Sequence, residues 1–208
     1  MEFSSSEENQ SFSLTKFESM LKTNNVFFFD SNEFENIIHH YLEIGKIALA
    51  KKAIKLGLDQ HPTSINLRLF RVEVLIFENK LSEAAKLLNL LFELEPNNEE
   101  LYIQKANIHS KRDQHKEAIE VFKQALEVSN DSSEIHSLIG MEYLFLDNYE
   151  AAKVHFKNCI DLNIEDYSSL YNIIYCFEFL DQTQEDIDYL NWYLDQNPYC
   201  EVAWHQLG

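Results

Sequence analysis

Glycine and proline are scarce in this chain of 208 residues, with four of the first and three of the second. So few glycines leave little material for phosphate-cradling loops, and the chain has no Gly-rich loop, HExxH pair or nucleophile elbow. Bases are also few: 17 Lys and Arg against 35 Asp and Glu give a formal charge of −18. Such a field repels phosphate backbones and anionic lipid, which disfavours nucleic-acid and membrane-surface binding and favours basic or neutral partners. No apolar run approaches the roughly 18 residues that a membrane span requires. The start, MEFSSSEENQ, lacks the basic and apolar regions of a secretory signal. Cys159, Cys176 and Cys200 form no CxxC pair, and Cys159 shares a register with Gly57, Leu91, Ala125 and Tyr193, which reads as a packed helix face. Buried reduced thiols in a cytoplasmic protein are the expectation.

What the chain does have is a period. Gly45, Asn79, Asp113, Asp147 and Asp181 stand 34 positions apart (79 − 45, for instance). All five belong to the small set of residues that tolerates a left-handed backbone, which a helix needs where it stops and turns. Five positions on from each lie Ala50, Ala84, Ala118, Ala152 and Asp186, and a third column holds Pro62, Pro96, Asn130, Ile164 and Pro198. Three columns in register predict an all-α repeat array with units 31–64, 65–98, 99–132, 133–166 and 167–200. Each unit holds two helices of about 13 residues with one apolar stripe apiece. A small residue in the alanine column lets helix axes approach to about 8–10 Å. Ile54, Leu88, Phe122, Phe156 and Leu190 form a column that fills the space between units. Asp186 breaks the small-residue column and predicts looser packing in the fifth pair.

Before the array, residues 1–12 are polar and read as disordered, and a capping helix is expected over about 14–22. Val26-Phe27-Phe28-Phe29 should dock that helix on the first unit, and Asp30 with Glu33 offers a capping box. After it, 201–208 is the first helix of an incomplete sixth unit with apolar Val202, Trp204 and Leu207. The native chain is therefore expected to continue past Gly208.

With these columns the chain resembles the tetratricopeptide repeat family, whose 34-residue unit is a helix-turn-helix. Gly140, Tyr143, Ala152 and Phe156 fall on that pattern, and Trp204 to Gly208 match its opening; Val72 and Ala106 replace its usual first-helix glycine. The resemblance covers 31–208. It implies an α-solenoid, a right-handed superhelix of antiparallel helix pairs, with first helices lining a concave groove. Three columns would face that groove: Glu35, Leu69, Ile103, Ser137 and Tyr171; His39, Glu73, Asn107, Met141 and Tyr175; Glu43, Phe77, Lys111, Phe145 and Phe179. Phe77, Phe145 and Phe179 read equally as packing against the next unit. The paired Lys, Asn and Arg of chaperone-tail clamps are absent, since Leu69, Glu73 and Met141 occupy those columns and only Asn107 and Lys111 match.

The function expected is a non-catalytic scaffold that binds an extended or helical protein segment with apolar anchors and a basic flank. Two alternatives stay open: self-association through Trp204 and Leu207 at the C-terminal edge, or recruitment for a longer multidomain protein. No cofactor and no metal are expected. His39 and His40 adjoin on a helix and point apart, His109 reads as core, and the other histidines as surface or turn residues.

Overall fold

The computed structural model describes residues 2–23 and 26–208, with side chains from Phe12 onward. Among the described residues it is all helical. Two compact units divide the chain, Met1–Leu94 and Glu95–Gly208, where the period alone suggested one uninterrupted array. The division falls after the helix Leu81–Leu94, whose Leu90 and Leu94 stay 57% and 58% exposed.

The first unit holds α1 (Glu2–Thr23), α2 (Ser31–Glu43), α3 (Ile47–Gln60), α4 (Ile65–Phe77) and α5 (Leu81–Leu94). Helix α1 is longer than the expected 14–22 and runs through the stretch read as disordered, apart from residue 1, which lies outside the described residues. No Gly or Pro interrupts 2–23, so nothing in the backbone stops the helix from extending beyond its apolar stripe. The docking of Val26 to Phe29 is half as expected. Burial alternates along this segment: Phe29 is buried and Phe27 partly buried, while Val26 and Phe28 face solvent. Phe29 meets Phe17 edge-on at 6.1 Å and Phe34 at 5.2 Å. Gln60 fixes the strap at both ends, accepting from the Phe29 amide at 3.0 Å and donating to the Phe27 carbonyl at 2.9 Å. Glu33 accepts from the Asp30 amide at 2.9 Å, which closes the capping box that opens α2.

The second unit holds α6 (Glu99–Ser110), α7 (His115–Val128), α8 (Ser133–Phe145), α9 (Tyr149–Leu162), α10 (Tyr167–Phe179), α11 (Thr183–Gln196) and α12 (Glu201–Leu207). In both units the helix pairs turn in the same way. Gly45, Asn79, Asp113, Asp147 and Asp181 have φ of 68°, 58°, 58°, 53° and 55°. Around each, the next residue's amide reaches back five positions: Lys46 to Tyr41 at 2.8 Å, Lys80 to Leu75 at 2.8 Å, Gln114 to His109 at 3.0 Å, Asn148 to Tyr143 at 2.9 Å and Gln182 to Phe177 at 3.0 Å. This is the Schellman ending, which satisfies carbonyls that a helix terminus otherwise leaves open.

The packing columns follow. Ala50, Ala84, Ala118 and Ala152 are fully buried, and Ile54, Leu88, Phe122, Phe156 and Leu190 are all within 4% of full burial. Gly140 is required by its neighbour, because a Cβ there would stand 2.7 Å from the Phe156 ring. Asp186 occupies the alanine position at 8% exposure, with Oδ1 unpartnered among the described residues. The backbones of α10 and α11 approach over less of their length than those of α8 and α9. All three cysteines are free and buried; Cys159 Sγ donates to Asp166 Oδ2 at 3.0 Å.

Two outcomes follow from these constraints. Asp113→Val puts a β-branched residue at positive φ and should cost about 1–2 kcal/mol in urea unfolding, whereas Asp113→Gly should stay within about 1 kcal/mol of wild type. Burial, then the Glu178 carboxylate, push the Asp186 pKa up to about 6. The fold therefore prefers the protonated acid. The site is most favourable below about pH 4, where the unfolded aspartate is also protonated, and that advantage is lost as pH rises through about 6. Asp186→Ala should stabilise the chain by about 1–3 kcal/mol at pH 7 and by less at pH 4; a variant less stable than wild type at pH 7 would refute this.

Candidate protein-binding face

Each unit presents a face built from the first helices of its pairs. In the first unit it is polar and acidic. Glu35 accepts from Ser31 Oγ at 3.0 Å and from Asn66 Nδ2 at 3.1 Å, and so links α2 to α4. His39 Nδ1 lies 3.3 Å from Glu43 Oε1 one turn on. Glu73 is solvent-accessible yet crowded, and this desolvation pushes its pKa up against the nearby His39, which pulls it down. Leu69, placed in the groove by register, is buried instead. Phe77, at the end of α4, is 68% exposed.

In the second unit the face is apolar. Ile103 is buried and belongs to the core with Ile135 and Ile139, so a short aliphatic side chain at this position is covered by neighbouring helices. Tyr171, in the same column, is long enough to stay 59% exposed. Asn107 and Ser137 are half-buried and Lys111 is exposed. Met141, Phe145, Tyr175 and Phe179 remain 37%, 60%, 42% and 55% exposed. Asn172 Nδ2 donates to Met141 Sδ at 3.7 Å, which brings α10 alongside α8.

The phenylalanines at the helix ends are neither free nor core. Phe145 stacks on His115 at 4.9 Å, and Phe179 stacks on Tyr149 at 4.7 Å with the rings 22° apart. Tyr175 adds to the second stack, 4.5 Å from Phe179 and 6.1 Å from Tyr149. Each ring thus rests one face on the start of the preceding unit's second helix and offers the other to solvent. His115 is held in turn by Glu142, 2.8 Å away and 5% exposed. Neither Tyr149 nor His115 was legible as part of this face, although both keep the same spacing to the phenylalanine that each supports.

The family models for the tetratricopeptide repeat match residues 78–142 and 133–163, within the periodic region. Residues 78–163 are tetratricopeptide repeats. Solved repeat proteins share the chain's fold at low identity. The thermophilic TPR protein TTC0263 of Thermus thermophilus is 18% identical over 79% of this chain and 88% of its own, with a TM-score of 0.65. A chain of the APC/C hetero-tetramer Cut9–Hcn1 crystal structure matches 96% of this chain and 39% of its own at 17% identity and TM-score 0.69. YrrB, described as a TPR protein with an unusual peptide-binding site, matches 92% of this chain and 96% of its own at 15% identity and TM-score 0.52. No curated protein matches the chain by sequence. The repeats give it a scaffold of the kind that binds other proteins.

Elsewhere in the repeats two sequence readings need correction. At the C-terminal edge, Trp204 is 57% exposed with its indole N–H on the Pro198 carbonyl at 2.8 Å, but Leu207 packs against the second unit's core. An apolar side chain on the last turn folds inward wherever the preceding pair offers it a surface. His136 and His155, read as surface residues, are half-buried and meet nitrogen to nitrogen at 3.0 Å, with Tyr143 stacked on His155. Burial first, then His136 and Lys123, push His155 down to about 4, so the pair is neutral at pH 7. No group of three or more metal-ligating side chains occurs among the described residues, and no described helix is long and apolar enough to cross a membrane.

Proposed function

We infer that the chain is a non-catalytic scaffold that captures a segment of another protein on the first-helix face of its repeats. The observation that carries this reading is the aromatic surface of the second unit. Five large side chains from two helices, Met141, Phe145, Tyr171, Tyr175 and Phe179, stay more than a third exposed. Monomeric domains seldom leave such patches uncovered without a binding role. Stacking on His115 and Tyr149 fixes two of the rings beforehand, which lowers the entropy lost on binding. Met141 adds an adaptable contact.

An extended or helical segment with two or three apolar anchors suits this surface. Glu35, Glu43 and Glu73 on the first unit suit basic residues of a partner, and the net charge of −18 favours their approach. YrrB supports the general idea that an array of this fold can hold a peptide. A cytoplasmic location fits the three free, buried thiols. A second reading rests on the far edge: Tyr199, Trp204 and Trp192 are 92%, 57% and 40% exposed, and self-association would cover them. Sedimentation showing only monomer at high concentration would remove that reading.

The test is Tyr171→Ala with Tyr175→Ala in the intact chain. Partners recovered by the wild-type protein should bind at least about tenfold more weakly, while far-UV circular dichroism stays the same. Raising salt should weaken binding only in so far as the acidic face contributes. Full retention of every partner by the double variant would contradict the assignment.

A further inference from the structure

The charge of the chain is unevenly spread. Residues 161–208 carry ten acids and no lysine or arginine, whereas residues 46–80 hold seven of the 17 Lys and Arg. Several of those bases converge. Within the first unit, α3, α4 and the start of α5 enclose an open cleft of about 650 Å³. Lys51, Lys52, Lys55, Arg71 and Lys80 line it with Asp59, Glu78 and Glu83. Ile54 and Val74 form a buried floor, and Leu58 and Leu75 are only half covered.

The helix geometry explains the convergence. Lys51, Lys52, Lys55, Leu58 and Asp59 fall on one stripe of α3. Arg71 and Leu75 on α4 lie two positions from Leu69 and Glu73, about 200° around the helix, so the cleft uses the side of α4 opposite its acidic face. Lys51 and Lys80 share Glu78, the latter at 2.8 Å. Lys52, Lys55 and Arg71 enter no ion pair or side-chain hydrogen bond among the described residues. Three open cations thus surround an apolar floor in a protein that is otherwise acidic.

We propose that this cleft is a second protein-binding site, specific for a short acidic peptide segment of a partner that carries apolar residues between its carboxylates. The complementarity has two parts. Lys52, Lys55 and Arg71 meet the carboxylates, and Leu58 and Leu75 meet the apolar side chains. Its volume lies within the range of roughly 300–1,000 Å³ typical of ligand clefts. Duplex nucleic acid and anionic bilayers fit poorly, because they extend beyond the cleft into the field of the surrounding acids. A second copy, also at −18, is repelled as a whole. A bare phosphate would leave the leucine floor unsatisfied.

The experiment is fluorescence anisotropy with the full chain and a labelled synthetic peptide, in which two leucines are set among Asp and Glu. Control peptides replace the leucines by serine or the acids by lysine. The acidic–apolar peptide should bind, and both controls should bind at least tenfold more weakly. Lys52→Glu with Lys55→Glu, at exposed positions where circular dichroism should stay unchanged, should weaken binding at least tenfold, and Arg71→Gln, from the other wall, should weaken it several-fold. The variant lacking Tyr171 and Tyr175 should bind this peptide as wild type does, so failure here and failure of the aromatic face are distinguishable. The proposal is overturned if the wild-type chain does not bind the peptide, if the lysine variant binds it unchanged, or if the serine control binds equally well. It is also overturned if phosphatidylserine vesicles bind at the cleft in preference to the peptide, or if sedimentation reveals a wild-type oligomer that the lysine variant dissociates.

Discussion

A residue held at positive φ ends the first helix of every pair, and the rest of the structure depends on it. The left-handed conformation at Gly45, Asn79, Asp113, Asp147 and Asp181 turns the chain back within three or four residues. It lets the following amide close a Schellman bond, and it starts the second helix at a constant distance. With that distance fixed, the fifth residue on always lies where two helices cross. A small side chain packs best there, so Ala50, Ala84, Ala118 and Ala152 are fully covered, whereas Asp186 is 8% exposed. The same constraint puts a large side chain four positions later against the neighbouring pair. Each unit therefore repeats one solution to one steric problem, and its side chains are free to vary only where the solution leaves them exposed.

That freedom appears on opposite sides of the same helices. On α4, Glu73 stands on one side, and Arg71 and Leu75 on the other. On α8 and α10 the outward residues are methionine and aromatic rings, supported from behind by His115 and Tyr149. Charge and apolar area are thus distributed by face and by unit rather than blended over the surface, a pattern suited to a protein that meets other chains at defined places.

The turns, the alanine column and the large-residue column were legible because each tolerates few residue types, so the period stands out against variable neighbours. Asp186 was legible for the same reason, as the exception in a uniform column. The length of α1 was not, because its first turns lack the apolar recurrence that marks a helix. The burial of Leu69 and Ile103, against the exposure of Tyr171 in the same column, depends on side-chain length relative to the rim, and register says nothing of that. The His136–His155 contact and the stacks on His115 and Tyr149 join helices through residue types that differ from unit to unit. The basic cleft was hidden by the net charge, since a local excess of lysine on α3 is swamped by the acids of the second unit.

The most direct test of this account is the backbone angle at the turns in solution. Scalar couplings and chemical shifts measured by NMR at Asn79, Asp113, Asp147 and Asp181 should give φ near the values of 58°, 58°, 53° and 55° in the structure. Negative φ at two or more of these positions would contradict it, because the second helices would then start elsewhere and the buried columns would lose their register.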